Sequence, residues 1–149
     1  MATNRGPGTH FQGGLRTPTV TVADATTYTI DPKSSGKVHL IPDLTADMTI
    51  TLPAIEGTDG FSVELMYVGA AVEAQDWIIN TAETTSLYTG GVTFLDTANA
   101  ISAVYADATD DDTLTVLTPE AGTRIQLVSD GVSWNVSGYV TSASAPTFA

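Results

Sequence analysis

Apolar and polar residues alternate with a period of two along most of this chain, and that alternation limits the possible folds more than any other feature. Met48-Thr49-Ile50-Thr51-Leu52, Thr113-Leu114-Thr115-Val116 and Val20-Thr21-Val22 alternate cleanly. Tyr28-Thr29-Ile30, Val38-His39-Leu40, Phe61-Ser62-Val63-Glu64-Leu65, Ile125-Gln126-Leu127 and Trp134-Asn135-Val136 follow the same rule. This period places apolar side chains on one face of a sheet and polar ones on the other. The polar partner is most often threonine, of which the chain has 25. Its β-branch is stiff at χ1 and favours extended backbone, so the excess follows from a wet sheet face without any binding role.

The punctuation agrees with strands. Pro32, Pro42 and Pro53 follow the apolar strand ends Ile30, Ile41 and Leu52 by one or two residues, and Pro119 follows Leu117. Proline has no N–H to give a ladder, so it stops one. Ser129-Asp130-Gly131, between Ile125/Leu127 and Trp134/Val136, is the best hairpin signal, since Asp-Gly tolerates the positive φ of a tight turn. Residues 68–75, VGAAVEAQ, form the one segment with any helical character. The expected fold is all-β: an antiparallel β-sandwich of about ten strands, of the jelly-roll kind.

Before this body lies a different kind of sequence. Residues 1–16, MATNRGPGTHFQGGLR, are rich in glycine and show neither period, so they read as a flexible N-terminal arm. Phe11 and Leu15 are its large apolar side chains. The expected organisation is an arm over 1–16, one sandwich domain over 17–140 and a C-terminal tail over 141–149. A chain of 149 residues buries roughly two-thirds of its unfolded surface, enough for a core without disulfides. Charge follows the same division. The formal charge is −12, yet residues 1–23 carry Arg5 and Arg16 and no acid, while the rest holds all 17 acids against Lys33, Lys37 and Arg124. An acidic body repels phosphate backbones, so nucleic acid is not an expected partner.

Chemistry is hard to find. With no cysteine there are no thiol nucleophiles, cysteine-bound metals or disulfides. No apolar run approaches the ~18 residues of a membrane-spanning helix, and the N-terminus lacks the apolar stretch of a signal peptide. Ser133 sits in Gly131-Val132-Ser133-Trp134-Asn135, which fails the nucleophile-elbow pattern. The two histidines, His10 in the arm and His39 on an alternating strand, match no zinc motif, and His39 reads as a wet-face or interface residue. Asp107, Asp110, Asp111 and Asp112 make the densest acidic cluster, which departs from the calcium-loop pattern and reads as a solvated loop. Asn135-Val136-Ser137 matches a glycosylation sequon but falls inside an expected strand. Trp77 and Trp134 read as core, and Tyr88, in the 87–91 segment, as the better candidate for an exposed loop aromatic. An enzyme is the least supported class, and no cofactor or metal is expected.

Three segments carry a resemblance. They are Leu52-Pro53-Ala54 with Gly57, then Gly60-Phe61-Ser62-Val63, then Gly122-Thr123-Arg124-Ile125-Gln126-Leu127-Val128-Ser129-Asp130-Gly131-Val132-Ser133-Trp134-Asn135-Val136. Together, over residues 45–138, they resemble modules of tailed-phage virion proteins, where such motifs punctuate the β-sandwich domains of tail fibres and of capsid decoration (cement) proteins. The chain has neither the heptads nor the internal repeats into which a fibre continues, so the resemblance favours a decoration protein. It implies a structural protein on the outside of an icosahedral phage capsid, made in the host cytoplasm. It also implies a homotrimer whose partner is the major capsid protein. The arm would then grip the shell, with Phe11 and Leu15 as apolar anchors and Arg5, His10 and Arg16 as polar and charged contacts. The alternative is a receptor- or glycan-binding module of a tail fibre or adhesin, using the 87–91 and 107–112 loops.

Overall fold

The computed structural model describes residues 16–70, 74–85, 87–98 and 100–149. Among them are twelve strands, one 3-10 turn at Pro32–Ser34 and no α-helix. The strands are β1 (Thr19–Thr21), β2 (Thr27–Thr29), β3 (Lys37–Ile41), β4 (Met48–Thr51), β5 (Ser62–Tyr67) and β6 (Trp77–Asn80). They continue with β7 (Tyr88–Asp96), β8 (Ile101–Ala106), β9 (Thr113–Val116), β10 (Arg124–Ser129), β11 (Trp134–Ser142) and β12 (Thr147–Phe148). They form a seven-stranded sheet in the order β1-β3-β5-β10-β11-β7-β8 and a five-stranded sheet in the order β12-β9-β6-β4-β2. One apolar core lies between the two, so the protein is an all-β sandwich as the alternation requires.

The pairing corrects the antiparallel expectation. Strands β1, β3 and β5 lie side by side and parallel in the large sheet, and β2, β4 and β6 do the same in the small one. The chain therefore winds back and forth between the sheets through its first six strands, each strand in one sheet serving as the crossover for the other. A parallel neighbour needs such a crossover, whereas an antiparallel one needs only a hairpin. From β7 onward the chain fills in the remaining positions. β11 runs parallel to β7, and β8, β9, β10 and β12 add antiparallel pairs. These mixed sheets depart from the paired antiparallel Greek keys of a jelly roll.

Register explains which residues are buried. Tyr28, Ile50, Ile79, Leu114 and Phe148 form one row across all five strands of the small sheet, facing the core. Val63, Leu127 and Val136 form a matching row in the large sheet. Trp77 and Trp134 are fully buried, and each large apolar side chain removed from water contributes about 1.5–3 kcal/mol. On the outside of the small sheet, Thr27, Thr49, Ile78, Thr115 and Thr147 make one row, and Thr29, Thr51, Asn80 and Thr113 the next. Much of the threonine excess is this face.

Two further expectations change. The described part of the 68–75 segment contains no helix. The last nine residues are not a tail: β11 runs through Ser142, and Thr147 and Phe148 pair with Thr115 and Leu114 on β9. The carbonyl of Ala149 accepts from Asp112 N at 2.8 Å and Thr113 N at 2.9 Å, which fastens the chain end to the small sheet.

Candidate functional site

Of the arm residues, Arg5, His10, Phe11 and Leu15 lie outside the described residues. Arg16 is described and exposed, three residues ahead of β1 at the edge of the large sheet.

Two of the three segments that resemble virion modules, 60–63 and 122–136, meet in space. Gly60 N donates to Ser129 O at 2.9 Å, and Ser129 N donates to Phe61 O at 2.9 Å. Below them the hydroxyls of Thr58 and Ser129 share a buried hydrogen bond of 2.9 Å, and the Phe61 ring meets Trp134 edge-on at 5.8 Å. The β10–β11 hairpin closes through a four-residue loop rather than a two-residue turn, because Ser129 pairs with Trp134. Asp130 organises that loop. Its carboxylate accepts from Ser133 N at 2.6 Å, Val132 N at 2.8 Å and Ser133 Oγ at 3.0 Å, while Gly131 takes the positive φ of 86°. The backbone donors of Ser133 and Val132, then the Ser133 hydroxyl, hold the Asp130 carboxyl below its usual range. The Asp130 carboxylate and the Thr58 and Ser129 hydroxyls hold backbone here, while the Trp134 indole Nε1 is buried with no hydrogen-bond partner among the described residues.

His39 is not on a wet face. It is fully buried and points to the core side of β3, in register with Leu65. Tyr28 Oη lies 2.7 Å from His39 Nδ1, so the pair ties the edge strand β2 of the small sheet to the large sheet. Nε2 is buried with no hydrogen-bond partner. Burial, and then the Lys37 charge, lower the pKa of the ring, which favours the neutral imidazole.

Tyr88 is not a loop aromatic either. It is the first residue of β7, fully buried, and its hydroxyl donates to Ile79 O at 2.9 Å across the core. Burial, and then the Asp112 charge, push its pKa up. The glycines after it looked like loop residues but are strand residues. A Cβ on Gly90, at φ 84°, would lie 2.4 Å from the Val136 carbonyl of the neighbouring strand. Among the described residues the exposed aromatics are Tyr105 and Tyr139, 73% and 44% exposed.

The acidic loop sits beside a cleft. Ligand atoms of Asp107, Asp110 and Asp111 come within 4.8 Å of one another. Asp111 is buried, and its Oδ2 already accepts from Asp107 N at 2.6 Å, while Asp107 Oδ1 accepts from Thr109 N at 2.9 Å. Asp112 turns away, accepting from Thr113 Oγ1 at 2.9 Å. Of the six oxygens on these three carboxylates, two already accept backbone N–H groups of the loop itself, as in a loop that holds its own turn. The cleft, about 450 Å³, opens between the edge strands β8 and β12 and is lined by Val104, Tyr105, Asp107, Asp111, Thr147 and Phe148, with Pro146 at its floor. The two loops named as glycan-binding candidates do adjoin, through Tyr88 N to Asp111 O at 2.8 Å.

Sequence reasoning missed the outer face of the large sheet. There Arg124 and Glu64 form an ion pair, with Arg124 Nε donating to Glu64 Oε1 at 2.7 Å, beside Gln126, Ser137 and Tyr139. Toward the β8 edge the face becomes apolar, with Ile101 and Tyr105 76% and 73% exposed. The available signal was the sequence Ile-Ser-Ala-Val-Tyr-Ala at 101–106, which has apolar residues at odd positions as well as even ones. Comparison with known proteins gave no matching family model and no matching curated protein.

Proposed function

We propose that the chain is a structural, non-enzymatic virion protein that binds the outer surface of an icosahedral phage capsid and stabilises it. One observation carries the reading. Two of the three segments that resemble virion modules, 60–63 and 122–136, pack against each other as a hydrogen-bonded and aromatic clasp. Such a unit makes a stiff platform. The segment ahead of β1 is acid-free and carries Arg5 and Arg16, while all 17 acids lie in the rest of the chain. The chain should cosediment with expanded heads of the phage that encodes it. Deleting residues 1–16 should abolish that binding and leave the far-UV circular dichroism of the body unchanged. Full occupancy by the truncated chain would sink the reading of the arm.

The cleft beside Tyr105 supports a second reading, a glycan-binding module of a tail fibre or adhesin. An exposed ring next to carboxylate acceptors is the chemistry that stacks on and hydrogen-bonds a sugar. That reading requires glycan binding that survives deletion of 1–16 and disappears in Tyr105→Ala.

A further inference from the structure

The four sheet edges are not alike. β1 and β2 have three residues each and β12 has two, and prolines 18 and 146 precede β1 and β12. Short strands and prolines blunt an edge against pairing with another chain. β8 has neither protection. It is six residues long, pairs only with β7 among the described residues, and carries no charge, proline or glycine. An edge of about 20 Å with free backbone donors and acceptors, flanked by exposed Ile101 and Tyr105, is a template for one more strand.

Charge selects the occupant. Apart from Glu64 and Asp96, every described acid lies in a connection between strands, and Glu64 is neutralised by Arg124. The outward residues of β8 and its neighbours, Ile101, Ala103, Tyr105, Leu95, Thr93 and Tyr139, are uncharged. A cationic partner would be drawn to the acidic loops rather than to this uncharged patch. Two copies of this chain repel each other everywhere except through a neutral patch, and a lone antiparallel edge is complementary to itself across a twofold axis.

We infer that β8 pairs with β8 of a second copy, joining two seven-stranded sheets into one. With Ala103 on the twofold axis, Ile101 faces the partner's Tyr105 and Tyr105 faces the partner's Ile101. Large side chains then meet large ones around a small centre, all on the outer face. This arrangement closes at two copies, whereas the resemblance implies three. It is independent of the capsid reading and competes with a glycan for Tyr105.

Sedimentation equilibrium of the full chain at micromolar concentration tests it. The expected mass is twice the 15.5 kDa of one chain. Ile101→Glu and Ala103→Glu, both at exposed positions, should each give the single-chain mass with unchanged near-UV circular dichroism. Val132→Glu, equally exposed on the β10–β11 loop, should stay dimeric. A monomeric wild type, a trimer, or a dimer that survives both β8 substitutions would overturn the inference.

Discussion

The outer faces of the two sheets are built from similar alternation and end up with different character. On the small sheet the outward rows are threonines broken by Ile78 and Asn80, with no charge and no aromatic ring. On the large sheet the outward residues include an ion pair, two exposed tyrosines and an exposed isoleucine. Threonine covers a sheet with a methyl and a hydroxyl and is satisfied by water, so the small sheet's face needs no partner. Exposed Ile101, Tyr105 and Tyr139 on one side of one sheet are harder to explain by solubility, and contiguous apolar surface of that kind marks interaction sites. On the inference drawn above, association falls to the large sheet and the small one serves as a wall of the core.

That contrast can be broken first on a single strand. Leu114 and Thr115 are neighbours on β9; the first is fully buried between Ile79 and Phe148, the second lies in the outer threonine row. Leu114→Ala should cost about 2–5 kcal/mol, from lost transfer energy and the cavity left behind. Thr115→Ala should stay within about 0.5 kcal/mol, as surface changes do. Urea unfolding of both variants measures the ratio. A large loss at Thr115 would mean that the threonine face is covered in the native protein and that the two faces are less different than they look.

How much of this was legible in the sequence depends on what alternation encodes. It reports which side chains share a face, and so it located eight of the twelve described strands and missed β6, β7, β8 and β12. It does not report which strand lies next door, so the parallel winding of β1, β3 and β5 against β2, β4 and β6 left no trace. Phase was the second weakness. In Val38-His39-Leu40 the alternation marks Val38 and Leu40 as the inner face, yet His39 and Ile41 are the ones that point inward. A strand offset by one residue exchanges its faces, and a polar residue buried by that exchange is misread as wet. Tyr88 failed for another reason. Gly90 and Gly91 are there because neighbouring strands approach too closely for a Cβ, and glycine in sequence looks the same whether it makes a loop or a close contact. The clasp was the most legible feature, since both of its halves had been singled out by motif.

His39 gives a pH-dependent way to test the inner faces, with a smaller effect than a cavity. Its folded-state pKa is lowered while the unfolded value stays near 6.5, so below that pH the unfolded chain binds the proton more readily. The stability that this site contributes is complete above about pH 6.5 and is lost as pH falls through the folded-state pKa. One such group gives a slope of at most about 1.4 kcal/mol per pH unit. His39→Gln, which keeps a polar atom facing Tyr28, should flatten the unfolding free energy between pH 7 and the onset of carboxylate titration. A slope unchanged by the substitution would mean that His39 reaches solvent, or a partner for Nε2, in the native state.

The smallest effect is expected at Asp130, and it separates the clasp from the edge. The backbone donors of Ser133 and Val132 hold its carboxylate, so its folded-state pKa is depressed below the usual aspartate value near 3.9. The hairpin therefore gains from a charged Asp130 above that pH, and the gain is lost as pH falls through the folded-state pKa. Asp130→Asn retains one acceptor oxygen and loses the charge, so its melting temperature should fall slightly at neutral pH and match wild type in strong acid. Because Asp130 lies on the loop beside the clasp and β8 at the far edge of the same sheet, Asp130→Asn should leave the sedimentation mass untouched while Ile101→Glu changes it. Loss of the dimer in Asp130→Asn would place the contact between copies at the hairpin end of the sandwich, against the assignment to β8.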